Sequence, residues 1–173
     1  MAKQPQKNSK AHSIALSGLL FALAMALSFV EGTLIIPGLL PGMKLGLANI
    51  VTVFALYQLG AGAALAILLT RCLLGGLFAG NLSAMLFSVL GGLTAMLVMI
   101  FLRRLPKLSV YGVSIGGAAA HNVGQMAAAV ITLGSTMVLG YLPFLLAVSL
   151  FTGTLTGFIT ALLLRATRHI RFH

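Results

Sequence analysis

Apolar runs of membrane-crossing length follow one another along almost all of this 173-residue chain, and nine of its eleven basic residues gather at three breaks in the pattern. Lys3, Lys7 and Lys10 precede the first run, Arg103, Arg104 and Lys107 divide the middle, and Arg165, Arg168 and Arg171 follow the last. An even number of apolar runs separates successive clusters, so all three can lie on one side of a bilayer. Lys and Arg are enriched in cytoplasmic loops and set orientation. The pattern predicts an all-α integral membrane protein with six transmembrane helices and both termini inside, in the cell membrane. The net charge of +10 then marks one membrane face, suited to anionic lipid and not to nucleic acid.

Composition agrees. Charged residues make up 7% of the chain and mean hydropathy is +1.10, against about 25% charged residues in a soluble domain. A Lys-rich start before an apolar run also describes a signal peptide, and Ala24-Met25-Ala26 resembles a cleavage site. The charge pattern, however, needs the first run as a span. The expected organisation is a basic segment at 1–11, one six-helix domain at 12–165 and a basic tail at 166–173. A helix needs about 20 apolar residues to cross. The spans are placed at 12–30, 44–59, 62–79, 82–102, 110–133 and 142–164, with the second noticeably short. Loops this short leave no soluble catalytic domain.

Polar groups inside spans are costly and therefore informative. His121, Asn122 and Gln125 in the fifth span are spaced to share a face. Arg71 lies midway along the third span, Lys44 and Asn49 near the start of the second, Glu31 at the end of the first and Asn81 at the start of the fourth. Most of these fall at mid-depth or in the outer half, where a pocket open to the outside would lie. Arg71 and Lys44 outnumber Glu31, which leaves that pocket positive, and a planar guanidinium suits phosphate or carboxylate. The competing reading is that such groups bridge helices, at well under about 2 kcal/mol each, and that Glu31 pairs with Lys44 or Arg71. Small residues at Ala11, Ala15, Gly18, Ala22 and Ala26 form a smooth ridge on the first span, for packing within the chain or for docking a partner. A second ridge, Ser149, Gly153, Thr156 and Thr160, is expected to pack internally.

Glu31 is the single acidic residue. Magnesium sites need carboxylate oxygens, an Asp-based triad is impossible, and no GxxxxGK[ST] loop is present. Cys72 is alone, so neither a disulfide framework nor a metal cluster is expected. No catalytic residues, metal or cofactor are expected, and the chain reads as a non-enzyme that draws energy from another subunit.

The stretches Pro41-Gly42-Met43-Lys44-Leu45-Gly46-Leu47-Ala48-Asn49-Ile50 and Ala120-His121-Asn122-Val123-Gly124-Gln125 resemble the bacterial Gx transporter family, often labelled heptaprenyl diphosphate synthase component I. That family is similar to the substrate-binding S components of energy-coupling factor (ECF) transporters, six-helix proteins that bind vitamins or precursors. The resemblance implies an S-component-like bundle, with a transmembrane coupling subunit and two ATPases as partners. It implies a small-residue docking face on the first helix, here Ala15, Gly18, Ala22 and Ala26, and a lid between helices 1 and 2, here carrying Pro37, Gly38, Pro41 and Gly42. The substrate expected is a small anionic or heteroaromatic molecule, flavin-like, thiamine-like or related to isoprenoids and quinones. Asn49, Arg71, His121, Asn122 and Gln125 would contact it, with Lys44 and Glu31 at the mouth and Asn81 as a further substrate-binding candidate. The prenyl synthase label conflicts with the absence of any Asp, which leaves a non-catalytic accessory subunit in isoprenoid diphosphate or quinone synthesis as the alternative. A ligand-free structural or assembly protein is the third reading.

Overall fold

A computed structural model of the chain describes residues 7–33 and 46–168, with side chains from residue 14 onward in the first helix. The lid residues Pro37, Gly38, Pro41 and Gly42, together with Lys44, lie outside the described residues. The elements are α1 (Lys7–Thr33), α2 (Asn49–Gln58), α3 (Ala61–Ala79), α4 (Leu82–Arg103), α5 (Val110–Leu133), a 3-10 turn (Thr136–Tyr141) and α6 (Leu142–Ala166).

Among the described residues, four stretches are long and apolar enough to cross a membrane: Ile14–Thr33, Ala61–Ala79, Leu82–Arg103 and Thr136–Ala166. The chain is a membrane protein on that basis. The other two of the six expected spans are not among these, for different reasons. With 10 residues, α2 is about 15 Å long, half the hydrocarbon thickness of about 30 Å. Residues Asn49 to Leu56 are nevertheless all buried, polar Asn49 and Thr52 included, which puts α2 in the core. Accordingly α2 packs against α1, α3, α4 and α6. In contrast, α5 has the length, but His121, Asn122 and Gln125 interrupt its apolar run, and it is not among the four.

Neighbouring helices close a ring in the order α1, α3, α4, α5, α6, α2. The C-terminal ends of α2, α4 and α6 meet at one end of it. There Arg103 Nη1 donates to the Leu56 carbonyl, its guanidinium lies 5.0 Å from the Tyr57 ring centre, and Gln58 Nε2 donates to Thr167 Oγ1 at 3.1 Å. The basic groups at Arg103–Lys107 and Arg165–Arg168 thus share one end of the bundle. The helix stops follow local chemistry: Gly80 and Gly134 end α3 and α5 in the left-handed conformation, which glycine adopts without steric cost.

The two small-residue ridges have opposite fates. On α6, Ser149, Gly153, Thr156 and Thr160 are buried, and a Cβ on Gly153 would stand 2.6 Å from the Ile115 Cα of α5. On α1 the buried side carries Leu20, Ala24, Ser28 and Glu31, whereas Ala15, Gly18, Ala22 and Ala26 are exposed. A Cβ on Gly18 would meet nothing within 4 Å. Packing within the chain therefore does not account for the α1 ridge.

Candidate functional site

A layer of buried polar groups crosses the bundle near the C-terminal end of α1. Glu31 Oε1 accepts the backbone N–H of Gly46, and that of Leu47 at 3.3 Å. The chain's lone carboxylate thereby holds the start of α2, where a helix leaves its amides unpaired and favours negative charge. Gly46 has φ of 87°, and a Cβ there would stand 2.8 Å from Asn49 Nδ2 and 3.8 Å from His121 Cδ2. Only glycine suits this conformation and this approach. His121 and Gln125 in turn close over Gly91 of α4, where a Cβ would fall 3.0 Å from His121 Cε1 and 2.9 Å from Gln125 Cγ. Residues far apart in sequence, Glu31, Gly46, Asn49, Gly91, His121 and Gln125, thus form one contiguous cluster.

Close approach of α4 and α5 makes this packing possible. Thr94 Oγ1 donates to the Ala120 carbonyl of α5 at 2.9 Å. Gly124 lets α5 lie directly on α4, since a Cβ would stand 2.4 Å from the Leu90 carbonyl oxygen and 2.8 Å from the Gly91 Cα.

Asn122 leaves the face it was expected to share. Its Nδ2 donates to the Leu145 carbonyl of α6 at 2.8 Å. The reason is angular: at 3.6 residues per turn, position 125 lies about 40° from 121 around the helix, and position 122 about 100°. Asn81 also has a local task, capping α4 by accepting the Ala84 N–H at 2.9 Å, a favoured use of Asn.

Arg71 occupies the α1 side of the layer. It is 5% exposed, and Nη1 donates to Ser28 Oγ at 2.6 Å. Ser28 is its one hydrogen-bonding partner among the described residues, so the possible Glu31–Arg71 ion pair does not form. The Arg71 Nε is buried without a partner among the described residues. A buried cation with one neutral acceptor is far from satisfied, because guanidinium carries five N–H donors and burial of unpaired charge is costly. Arg71, Ser28 and Ser88 border a recess of about 20 Å³. Next to it, between α1 and α3, lies a cavity of about 250 Å³ that shares Ser28, Gly75 and Ala79 as walls. Its remaining lining includes Met25, Phe29 and Phe78.

The family model described as heptaprenyl diphosphate synthase component I matches residues 20–163. The chain belongs to this family. The match covers α2 to α5 entirely and includes Glu31, Asn49, Arg71, His121 and Gln125. No curated protein and no solved structure is a match for the chain.

Sequence reasoning missed Ser28, Ser88, Gly91 and Thr94. Ser28 had a usable signal, since it lies three residues before Glu31 and shares its side of α1. Gly91 and Thr94 had none, because their importance comes from a partner helix.

Proposed function

We propose that this chain is the substrate-binding membrane subunit, S-component-like, of an ECF-type ATP-driven transporter for a small anionic or heteroaromatic cofactor or precursor. The observation that carries the reading is Arg71, a buried cation with an unpaired Nε beside a cavity. Such a group is expensive in a membrane protein unless a ligand completes it, and its planar fork matches carboxylate or phosphate. Asn49, His121 and Gln125 supply hydrogen-bonding groups on the same polar layer, and Glu31 fixes the start of α2 beneath the expected lid. The six-helix bundle lies in the cell membrane, with the basic end on the cytoplasmic side; the meeting of the α2, α4 and α6 ends supports this placement. The exposed α1 ridge at Ala15, Gly18, Ala22 and Ala26 supports docking on a transmembrane coupling subunit, which two ATPases would drive. With one carboxylate in the sequence, the chain performs no chemistry of its own.

The family description favours a second reading. "Component I" of a prenyl diphosphate synthase suggests a non-catalytic membrane accessory subunit, with catalysis by a soluble prenyltransferase. Affinity purification from the native membrane separates the two. Recovery of a coupling subunit and ATPases, lost in Ala22→Leu/Ala26→Leu, supports the transporter reading. Recovery of a prenyltransferase with no ATPase overturns it.

A further inference from the structure

The cavity between α1 and α3 narrows the class of ligand. Its walls are mainly apolar, and two of them, Phe29 and Phe78, are 76% and 79% exposed on the outer surface of the bundle. Both rings flank the cavity on the outside of the bundle near the ends of α1 and α3, so the cavity opens sideways as well as inward. At its inner end the shared walls Ser28, Gly75 and Ala79 lead to Arg71. The site thus joins an apolar groove to Arg71, the one buried cation among the described residues. We propose that it takes a single-chain anionic amphiphile, whose phosphate or carboxylate head lies at Arg71 and whose apolar chain leaves between Phe29 and Phe78.

Size and depth weigh against the commonest alternative, a bilayer phospholipid. A cavity of about 250 Å³ exceeds the roughly 150 Å³ that accommodates benzene and falls below the roughly 300–1,000 Å³ of drug-sized sites. One slim chain segment fits there and a pair of acyl chains does not. Arg71 also lies eight residues before the end of α3 at Ala79, about 12 Å along the axis. A phospholipid head anchored at the membrane surface does not descend that far. A neutral amphiphile would fill the groove and leave the cation unpaired.

This inference rests on the reading of Arg71 as an anion-binding group, and the test separates the two. The purified protein in nonionic detergent is incubated with decyl phosphate, decanol, inorganic phosphate or dioleoyl phosphatidic acid, and retained molecules are counted by native mass spectrometry. Gly75 borders both cavities, and a Cβ there meets nothing within 4 Å. Gly75→Phe therefore places its ring at the groove with open space at its first carbon, and an unchanged melting temperature verifies that the bundle is undisturbed. The expected result is one decyl phosphate per chain, held about tenfold or more tightly than decanol, as one charge-assisted contact allows. Gly75→Phe and Arg71→Gln should each abolish it. Equal retention of decanol, or decyl phosphate that survives Gly75→Phe, overturns the amphiphile. Arg71-dependent retention of inorganic phosphate without any advantage for decyl phosphate also overturns it, and leaves the anion-binding role of Arg71 standing. Decyl phosphate retained equally by Arg71→Gln overturns both.

Discussion

Gly124→Ala adds one methyl group at the point where α5 lies on α4. The new carbon would stand 2.1 Å from Thr94 Oγ1, 2.4 Å from the Leu90 carbonyl oxygen and 2.8 Å from the Gly91 Cα. The optimal separation of carbon atoms is about 3.5–4.0 Å, so the helices must part by roughly 1 Å. Two of these three neighbours are backbone, so rotating a side chain does not relieve the clash. Overpacking of this kind costs about 1–3 kcal/mol. Parting the helices also strains the Thr94 bond to the Ala120 carbonyl, at about 1 kcal/mol. Opposing this, Ala exceeds Gly in helix propensity by about 1 kcal/mol. The net expectation is a loss of about 1–3 kcal/mol, which for a chain of this size lowers the melting temperature by roughly 2–12 °C. Thermal unfolding in nonionic detergent measures it, with Gly75→Ala as control, where the added carbon meets nothing and propensity alone acts. A Gly124→Ala protein as stable as the parent, or more so, would refute the close helix crossing and with it the packing of His121 and Gln125 over Gly91.

Three further outcomes are expected. Glu31→Ala removes the acceptor for the Gly46 and Leu47 amides and should destabilise by about 1–3 kcal/mol, whereas Glu31→Gln should cost less in the same unfolding assay, since it keeps an acceptor. Arg71→Met should leave the ligand-free protein as stable as before or more stable, because an incompletely paired buried charge is often replaced by an apolar residue at no loss; a marked drop in melting temperature would count against Arg71 as a group held in reserve for a ligand. Asn122→Ala should lower stability by about 1 kcal/mol through loss of the bond to Leu145 while ligand retention is unchanged, and His121→Ala should weaken retention; the reverse pattern would exchange their assignments.

Much of the fold was legible because it depends on local quantities. Run length and charge placed α3, α4, α5 and α6 within one or two residues of their observed bounds, and Gly80-Asn81 and Gly134 announced the turns that end α3 and α5. The shortness of the second span was visible too, though its place in the core was not: a short, mainly apolar helix reads alike whether lipid or protein surrounds it. The α1 and α6 ridges were likewise indistinguishable as spacings. Glu31, Asn49, Arg71, His121 and Gln125 stood out because polar groups are rare in this chain. Their grouping was another matter, since it depends on which helices touch.

The sequence by itself determined the helices, the membrane setting, the basic end and the short roster of polar residues, because each follows from composition and period along one segment. The tertiary structure alone decided that Glu31 holds the start of α2, that Asn122 turns to α6, that Gly91 and Gly124 admit the α4–α5 crossing, and that Arg71 lies at a cavity with a donor to spare. Those outcomes depend on the rotation and closeness of packed helices, and contacts across 15 to 43 residues of chain, such as Gly46 to Glu31 and Arg71 to Ser28, are set by the whole bundle and not by any one of its segments.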